Sequence, residues 1–255
     1  MVGGQMHKAI GLIPTRLNSR RLPRKSLKMI GKLPLIIHTY RRVKLSKKLD
    51  EAFICCDSKE VFNVAKEYNA NVILTSKKHK CGTDRIYEAF KKQNKNYDQI
   101  INIQGDEPLI DPKNIDRVIN YHRKNKKIDI ILPNLPSKFS RDPHLVRLIF
   151  NQSQQVIFMT RSDTPHQFIK KVDKIYKHLS IISFTPYALK TYAKSKQSKL
   201  ELIEDVELLR ALDIGLKIKT FSSKGSSISI DIPKNLFEAR KKMISDKYYR
   251  VYSKY

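Results

Sequence analysis

The sequence predicts an α/β domain built on a mixed, mostly parallel sheet with helices on both faces. Two observations lead there. Short β-branched apolar runs alternate with segments of helical periodicity through the first half of the chain, and a β-α-β order implies parallel strands covered on both sides. In addition, 255 residues with a 40% hydrophobic share, spread along the whole length, suffice for one substantial core.

The elements follow in chain order. Lys8–Ile13 reads as a strand and leads into a loop rich in Arg, Ser and Pro. Pro34 suits the first turn of a helix whose Ile36, Ile37, Tyr40 and Val43 recur at helical spacing. Ala52–Cys56 is a second strand, and Lys59–Tyr68 a helix with Val61, Val64 and Ala65 inward. Asn71–Thr75 is a third strand, followed by a helix over Thr83–Lys92 with Thr83 as its cap. Gln99–Gln104 is a β-branched strand, and Pro112–Lys124 a helix that opens on proline. Beyond this point strands dominate: Ile128–Leu132, Val146–Phe150, Val156–Thr160 and His178–Phe184. Leu200–Ile214 reads as one amphipathic helix with Leu202, Ile203, Val206, Leu209 and Leu212 on one side. Strands at Lys217–Phe221 and Ser227–Asp231 precede a helix that starts at Pro233. The expected organisation is a single α/β domain over residues 6–245 with an inserted subdomain around 135–200. Residues 1–5 read as a leader or tag, and 246–255 as a frayed basic tail.

Composition narrows the function classes. No apolar run approaches the ~20 residues needed to span a bilayer, and no secretory pattern opens the chain, so a cytoplasmic location is expected. Three cysteines, two of them adjacent at Cys55 and Cys56, fit neither a disulfide framework nor a zinc site. The net charge of +27 is compatible with polyanionic partners, nucleic acid included. Its lysines are scattered, however, which favours a compositional habit over a binding face, and no nucleic-acid partner is expected. The closing tyrosines Tyr248, Tyr249, Tyr252 and Tyr255 only weakly resemble a nucleic-acid-binding tail.

Two stretches carry candidate chemistry. The run 13–27, IPTRLNSRRLPRKSL, follows the first strand, where open α/β sheets bind nucleotides. Arg16, Arg21 and Lys25 there are suited to wrapping a triphosphate; the other reading is a solvated basic loop. In the run 101–110, INIQGDEPLI, Gly105 permits close backbone approach and Asp106 sits at the sheet's carboxyl edge, as a Mg²⁺ ligand or as a turn aspartate. Asp231, just before Pro233, is open to the same two readings. Paired with Asp106 it would complete a metal site.

These motifs resemble the CMP-Kdo synthetases (3-deoxy-manno-octulosonate cytidylyltransferases) from Ile10 to about Met243. The family's IPARxxSxRLPxKxL is similar to residues 13–27, its SGTDR to Cys81-Gly-Thr-Asp-Arg85, and its QGDEP to Gln104–Pro108. The resemblance implies a Rossmann-like core of the nucleotide-diphospho-sugar transferase type with a smaller dimerisation and sugar-binding subdomain. It implies transfer of CMP from CTP to Kdo with release of pyrophosphate, for lipopolysaccharide biosynthesis, by a Mg²⁺-dependent homodimer. Arg16, Arg21 and Lys25 would hold the phosphates, with Arg16, Lys25 and Asp106 catalytic. Thr83, Asp84 and Arg85 would belong to the nucleotide pocket, and Asp106 and Asp231 would bind Mg²⁺. Gln104, Arg161, His178 and Glu207 would face the sugar, and Arg210 matches the arginine that closes the family's EQLR motif.

Departures from the family pattern cluster on the sugar side. Arg24 replaces the glycine of LPGK, and Cys81 a serine. HxGIY has become His178-Leu-Ser-Ile-Ile182, EQLR has Leu208 for its glutamine, and VDTPEDL has become IDIPKNL over 230–236. Lost polar groups change which sugar fits, so Ser180, Ile182 and Leu208 motivate another ulosonic acid, such as 8-amino-Kdo, as an alternative substrate. A catalytically silent homologue and an anion-binding protein are the further alternatives. His178 also reads as a structural histidine, and Glu204, Asp205 and Glu207 as the wet face of a helix.

Overall fold

A computed structural model describes residues 7–253, apart from 20, 143, 226 and 227. The segment 1–5, Tyr255 and the start of the strand expected at Ser227 therefore lie outside the described residues. β1 (Ala9–Pro14) leads through a loop and a short 3-10 turn (Lys25–Leu27) into a small hairpin of β2 (Met29–Ile30) and β3 (Leu33–Pro34). Then follow α1 (Leu35–Val43), β4 (Glu51–Cys56), α2 (Lys59–Glu67), β5 (Val72–Leu74), α3 (Gly82–Lys91), β6 (Gln99–Ile103) and α4 (Pro112–Lys124). The second half contains β7 (Ile130–Lys138), β8 (Arg147–Phe150), β9 (Val156–Thr160), β10 (Lys174–His178) and β11 (Ile181–Phe184). It continues with α5 (Pro186–Lys194), α6 (Lys199–Glu204), α7 (Leu208–Asp213), β12 (Ile218–Ser222), α8 (Pro233–Ile244) and α9 (Lys247–Tyr252).

One ten-stranded sheet runs β5-β4-β1-β6-β11-β7-β10-β8-β9, with β12 joined to β7. Its first half is parallel: β1 lies between β4 and β6, and β5 extends β4. β11 then enters antiparallel between β6 and β7. Segment 135–200 adds β8 to β11 to this same sheet. Every residue of β1 is buried because helices cover both faces. With a period of two, Ile13 faces a core shared with Ile36, Ile37, Val61 and Ile115, whereas Ile10 and Leu12 face Ile86, Leu189 and Leu209. At about 25 cal/mol per Å² of apolar surface, these two cores are the main source of stability.

Sequence chemistry accounts for the helix starts. Ser58 accepts the Val61 N–H at the start of α2, and Asp111 accepts the Lys113 N–H beside Pro112 at the start of α4. Cys55 and Cys56 are buried free thiols, and the Cys56 thiol is pushed up to about 11 by burial.

Three expectations are corrected. The single helix expected over Leu200–Ile214 is two, α6 and α7, broken at Asp205 in the left-handed region at φ 51. The break has a cause: the Arg161 guanidinium takes the carbonyls of Glu204 and Asp205 at 2.8 and 3.1 Å, which a continuing helix would use itself. Leu202 and Ile203 consequently face solvent, while Val206 and Leu209 are buried. No strand forms over 228–231, whose chain instead docks on the end of the sheet. The stretch read as a frayed tail forms α9, where Tyr252 is buried against α1.

That docking has a polar centre. The buried His38 imidazole bonds the Tyr252 hydroxyl at 2.9 Å and the Ile30 carbonyl at 2.7 Å. Burial lowers its pKa to about 4, so the neutral ring is the folded form. A folded value below the unfolded one gives stability that is complete above pH ~6.5 and lost as pH falls toward 4. The urea midpoint of the wild type is therefore expected to fall more steeply between pH 6.5 and 5 than that of His38→Gln. Equal slopes would remove His38 from the acid response.

Candidate active site

The site is built at the carboxyl edge of the parallel strands. The chain leaves β1 through Thr15, whose N–H bonds the Cys55 carbonyl at 2.9 Å, and Leu17, whose N–H bonds Asp57 Oδ1 at 3.0 Å. Leu22, in the middle of the loop, is buried with Ile30, Leu35, Ile230, Leu236, Ala239 and Met243. This small apolar cluster joins three distant segments: the basic loop, the hairpin and the chain entering α8. It places Asp231 and Lys25 side by side.

Asp106 arrives from β6 through Gly105. A Cβ on Gly105 would stand 2.8 Å from the Pro14 carbonyl, so only glycine allows β6 to pass this close to the end of β1. The Ile230 N–H bonds the Asp106 carbonyl at 3.0 Å and brings the next residue, Asp231, to the same edge. Lys25 Nζ then lies 2.7 Å from Asp106 Oδ2 and 3.1 Å from Asp231 Oδ1. Arg21 donates to Asp231 Oδ1 at 2.9 Å, and Arg16 is exposed at the loop's start. Arg24, where the resembled family carries glycine, sits at φ 57 in the left-handed region and pairs outward with Glu60.

A second group surrounds the start of α3. Glu207 accepts the Gly82 N–H at 3.0 Å, the Thr83 N–H at 3.1 Å and the Thr83 hydroxyl at 2.6 Å. It thus acts as the cap that α3 lacks locally: the helix starts at Gly82 after Cys81, so Thr83, expected as the cap, lies inside the first turn and is fully buried. Asp84 pairs with Arg210 at 3.0 Å, and Arg210 is held by Glu201 at 2.6 and 2.7 Å over the Tyr192 ring. Arg85 is buried and donates to Thr75 Oγ1 at 2.7 Å and to Asp57 Oδ2 at 3.3 Å. Thr83, Asp84 and Arg85 therefore spend their side chains on protein partners.

The third group lies toward β10. Arg161 places its guanidinium on the carbonyls of His144, Glu204 and Asp205. His144 Nδ1 is also 3.5 Å from Arg21, so one residue connects this group to the basic loop. The His178 pKa is lowered to about 4, chiefly by burial and then by the charges of Arg161 and Lys177, which leaves a neutral ring. The Gln104 N–H bonds the Ser180 carbonyl at 3.2 Å, which ties the strand before Asp106 to the turn after His178.

The structure thus brings Arg21, Lys25, Asp106 and Asp231 into direct contact, and links Arg161 to them through His144. Glu207 joins Gly82 and Thr83 instead. Sequence reading missed Asp57 and His144, which carry no motif of their own, and read as a wet helix face Glu204, which accepts from Thr160 and Arg161. Asp57 was findable as a carboxylate ending the strand next to β1. A cavity of about 890 Å³ lined by Lys78, Asp84, Lys91, Lys196 and Gln197, among others, includes neither Asp106 nor Asp231. Among the described residues no group of three or more His, Cys, Asp or Glu is placed to hold a metal.

An open α/β sheet with a basic loop after its first strand and two carboxylates at the same edge has the layout of a nucleotide-binding protein. The cytidylyltransferase family model matches residues 10–218, and the chain belongs to that family. A 3-deoxy-manno-octulosonate cytidylyltransferase of Thermodesulfovibrio yellowstonii is 35% identical, with 91% of this chain and 96% of the relative covered. An 8-amino-3,8-dideoxy-manno-octulosonate cytidylyltransferase of Shewanella sp. is 32% identical, with 91% and 97% covered. Among solved structures, a CMP:2-keto-3-deoxy-manno-octonic acid synthetase complexed with CTP superposes with a TM-score of 0.86 at 28% identity, covering 93% of this chain and 98% of that one.

The capping geometry predicts that Glu207→Ala destabilises the protein by about 2 kcal/mol, through loss of the cap on α3. Urea unfolding measures this directly. A change below about 0.5 kcal/mol would mean that the α3 donors find other partners.

Proposed function

We propose that this protein transfers CMP from CTP to 3-deoxy-manno-octulosonate, releasing pyrophosphate. The anomeric oxygen forms a new bond to the α-phosphorus and gives up its proton to solvent, as the bond from that phosphorus to the oxygen bridging to the β-phosphate breaks and pyrophosphate leaves with the electron pair. The observation that carries this reading is Lys25 Nζ bonded to both Asp106 and Asp231 beside the arginine-bearing loop. Chemistry of this kind is mostly positioning and charge neutralisation. Arg16, Arg21 and Lys25 supply the cations for the triphosphate and for the departing pyrophosphate, arginine through bidentate donors. Lys25, freed from the carboxylates when an anion arrives, turns its ammonium to phosphate.

Asp106 and Asp231 suit Mg²⁺, a hard cation that takes one or two carboxylates and fills its remaining positions with phosphate oxygens and water. When bound, the ion supplies charge neutralisation at the phosphates. On the sugar side, the Arg161 cation, the neutral His178 and the amide of Gln104 fit an acidic, hydroxyl-rich ligand. Glu204 is committed to Thr160 and Arg161, and Glu207 to Gly82 and Thr83. With both carboxylates engaged, neither is offered to an ammonium-bearing sugar, which favours Kdo over its 8-amino analogue. Homodimer formation, a cytoplasmic location and a place in lipopolysaccharide synthesis belong to the same reading. No helix among the described residues is long and apolar enough to cross a membrane.

Asp106→Asn and Asp231→Asn should each lower kcat by at least ~10²-fold with Tm shifted by only a few degrees, as read by pyrophosphate release with CTP, Mg²⁺ and Kdo. Near-normal turnover by either variant would refute the assigned roles. Faster turnover of the 8-amino sugar by the wild type would reverse the substrate assignment.

A further inference from the structure

The loop that carries Arg16 and Arg21 has little backbone structure of its own. Among the described residues, the one hydrogen bond made by the backbone of residues 16–23 is from the Leu17 N–H to Asp57 Oδ1, at 3.0 Å. Asp57 follows β4, the strand beside β1, and its other oxygen accepts from Arg85 at 3.3 Å. Arg85 is fixed in turn by Thr75 Oγ1 at 2.7 Å and the Ser76 carbonyl at 3.3 Å, and Thr75 Oγ1 donates to the Cys56 carbonyl at 2.8 Å. The side chains of Arg85 and Asp57 are only 5% and 15% exposed, so this bracket is largely shielded from solvent.

We propose that Asp57 is a positioning residue for the triphosphate: it holds the entrance of the basic loop through the Leu17 N–H, and Arg85 holds Asp57. The inference rests on the reading of residues 16–25 as the CTP phosphate loop. Its physical content is preorganisation. A loop fixed at Leu17 presents Arg16 and Arg21 in one geometry, whereas a loose loop must be ordered at the expense of CTP affinity. The Arg85 guanidinium also offsets the Asp57 charge, which would otherwise repel phosphate from close by. Arg85, from the Gly82-Thr-Asp-Arg85 segment, thereby acts at one remove from the nucleotide.

Steady-state kinetics on full-length Asp57→Ala and Asp57→Asn, with CTP and Kdo varied separately, test this. Asp57→Ala removes the acceptor of the Leu17 N–H and should raise KM for CTP about tenfold, the worth of one such bond, while KM for the sugar stays within about twofold. Asp57→Asn keeps an oxygen for Leu17 and should recover most of that loss. A residue that merely braces the fold would lower kcat or Tm and leave the CTP KM unchanged. That result, or equal shifts in both KM values, overturns the proposal. If Asp57→Ala does not fold, Asp57→Asn against Arg85→Lys carries the same comparison, with the CTP KM raised where the bracket is weakened and unchanged if the idea is wrong. Calorimetric titration of CTP into wild type and variants separates the two levels. Wild type that binds CTP without turning over Kdo sinks the activity and leaves the Asp57 comparison intact.

Discussion

One backbone hydrogen bond organises the reactive edge: the Ile230 N–H to the Asp106 carbonyl. It joins the turn after β6 to the chain entering α8, segments that no local sequence rule would pair. Once the bond is made, Asp231 stands beside Asp106, and Lys25 closes the gap between their carboxylates. The apolar cluster of Leu22, Ile30, Leu35, Ile230 and Leu236 holds the three segments together from below. Two carboxylates this close repel each other unless a cation separates them, and the ammonium of Lys25 is that cation in this structure. The arrangement is poised for exchange. On the proposed function, a metal-bound triphosphate would replace one positive partner with another and give Lys25 a phosphate to hold.

Behind this edge, buried charge does structural work. Arg210 is 2% exposed and answered by Glu201 and Asp84, which fastens α3 to α6 and α7. Removing one member of such a network leaves an unpaired buried charge, which costs more than the intact pair contributes. The same economy governs Thr83, Asp84 and Arg85. Their side chains shape this edge by fixing α3, Glu207 and Asp57, rather than by reaching outward. Most of the lysines behind the +27 charge lie outside these networks, scattered over the surface.

The parallel half of the fold was legible because its signals are local. Alternating apolar strands, prolines at helix starts and the Gly105 turn each follow from a few adjacent residues. The meeting of Asp106 and Asp231 was legible only by bringing motif knowledge to two ordinary-looking aspartates. The break at Asp205 was not legible, since it depends on Arg161 reaching over from β9 to take two helical carbonyls. α9 was hidden for a similar reason: a lysine- and tyrosine-rich end reads as solvated until Asp246 finds Arg42 and Tyr252 finds His38. Arg161, assigned to the sugar by resemblance, is bonded to three backbone carbonyls, which no local signal announces. Glu207 caps α3, and nothing in the sequence around it announces that.

The central claim is that the Asp106–Asp231 pair and the basic loop together cradle a metal-bound triphosphate. A crystal structure with CTP and Mn²⁺, collected at the manganese absorption edge, tests it most directly. The account predicts an anomalous peak between those two carboxylates, with the β- and γ-phosphates against Arg16, Arg21 and Lys25. An anomalous peak elsewhere, or a triphosphate bound away from that loop, would contradict it.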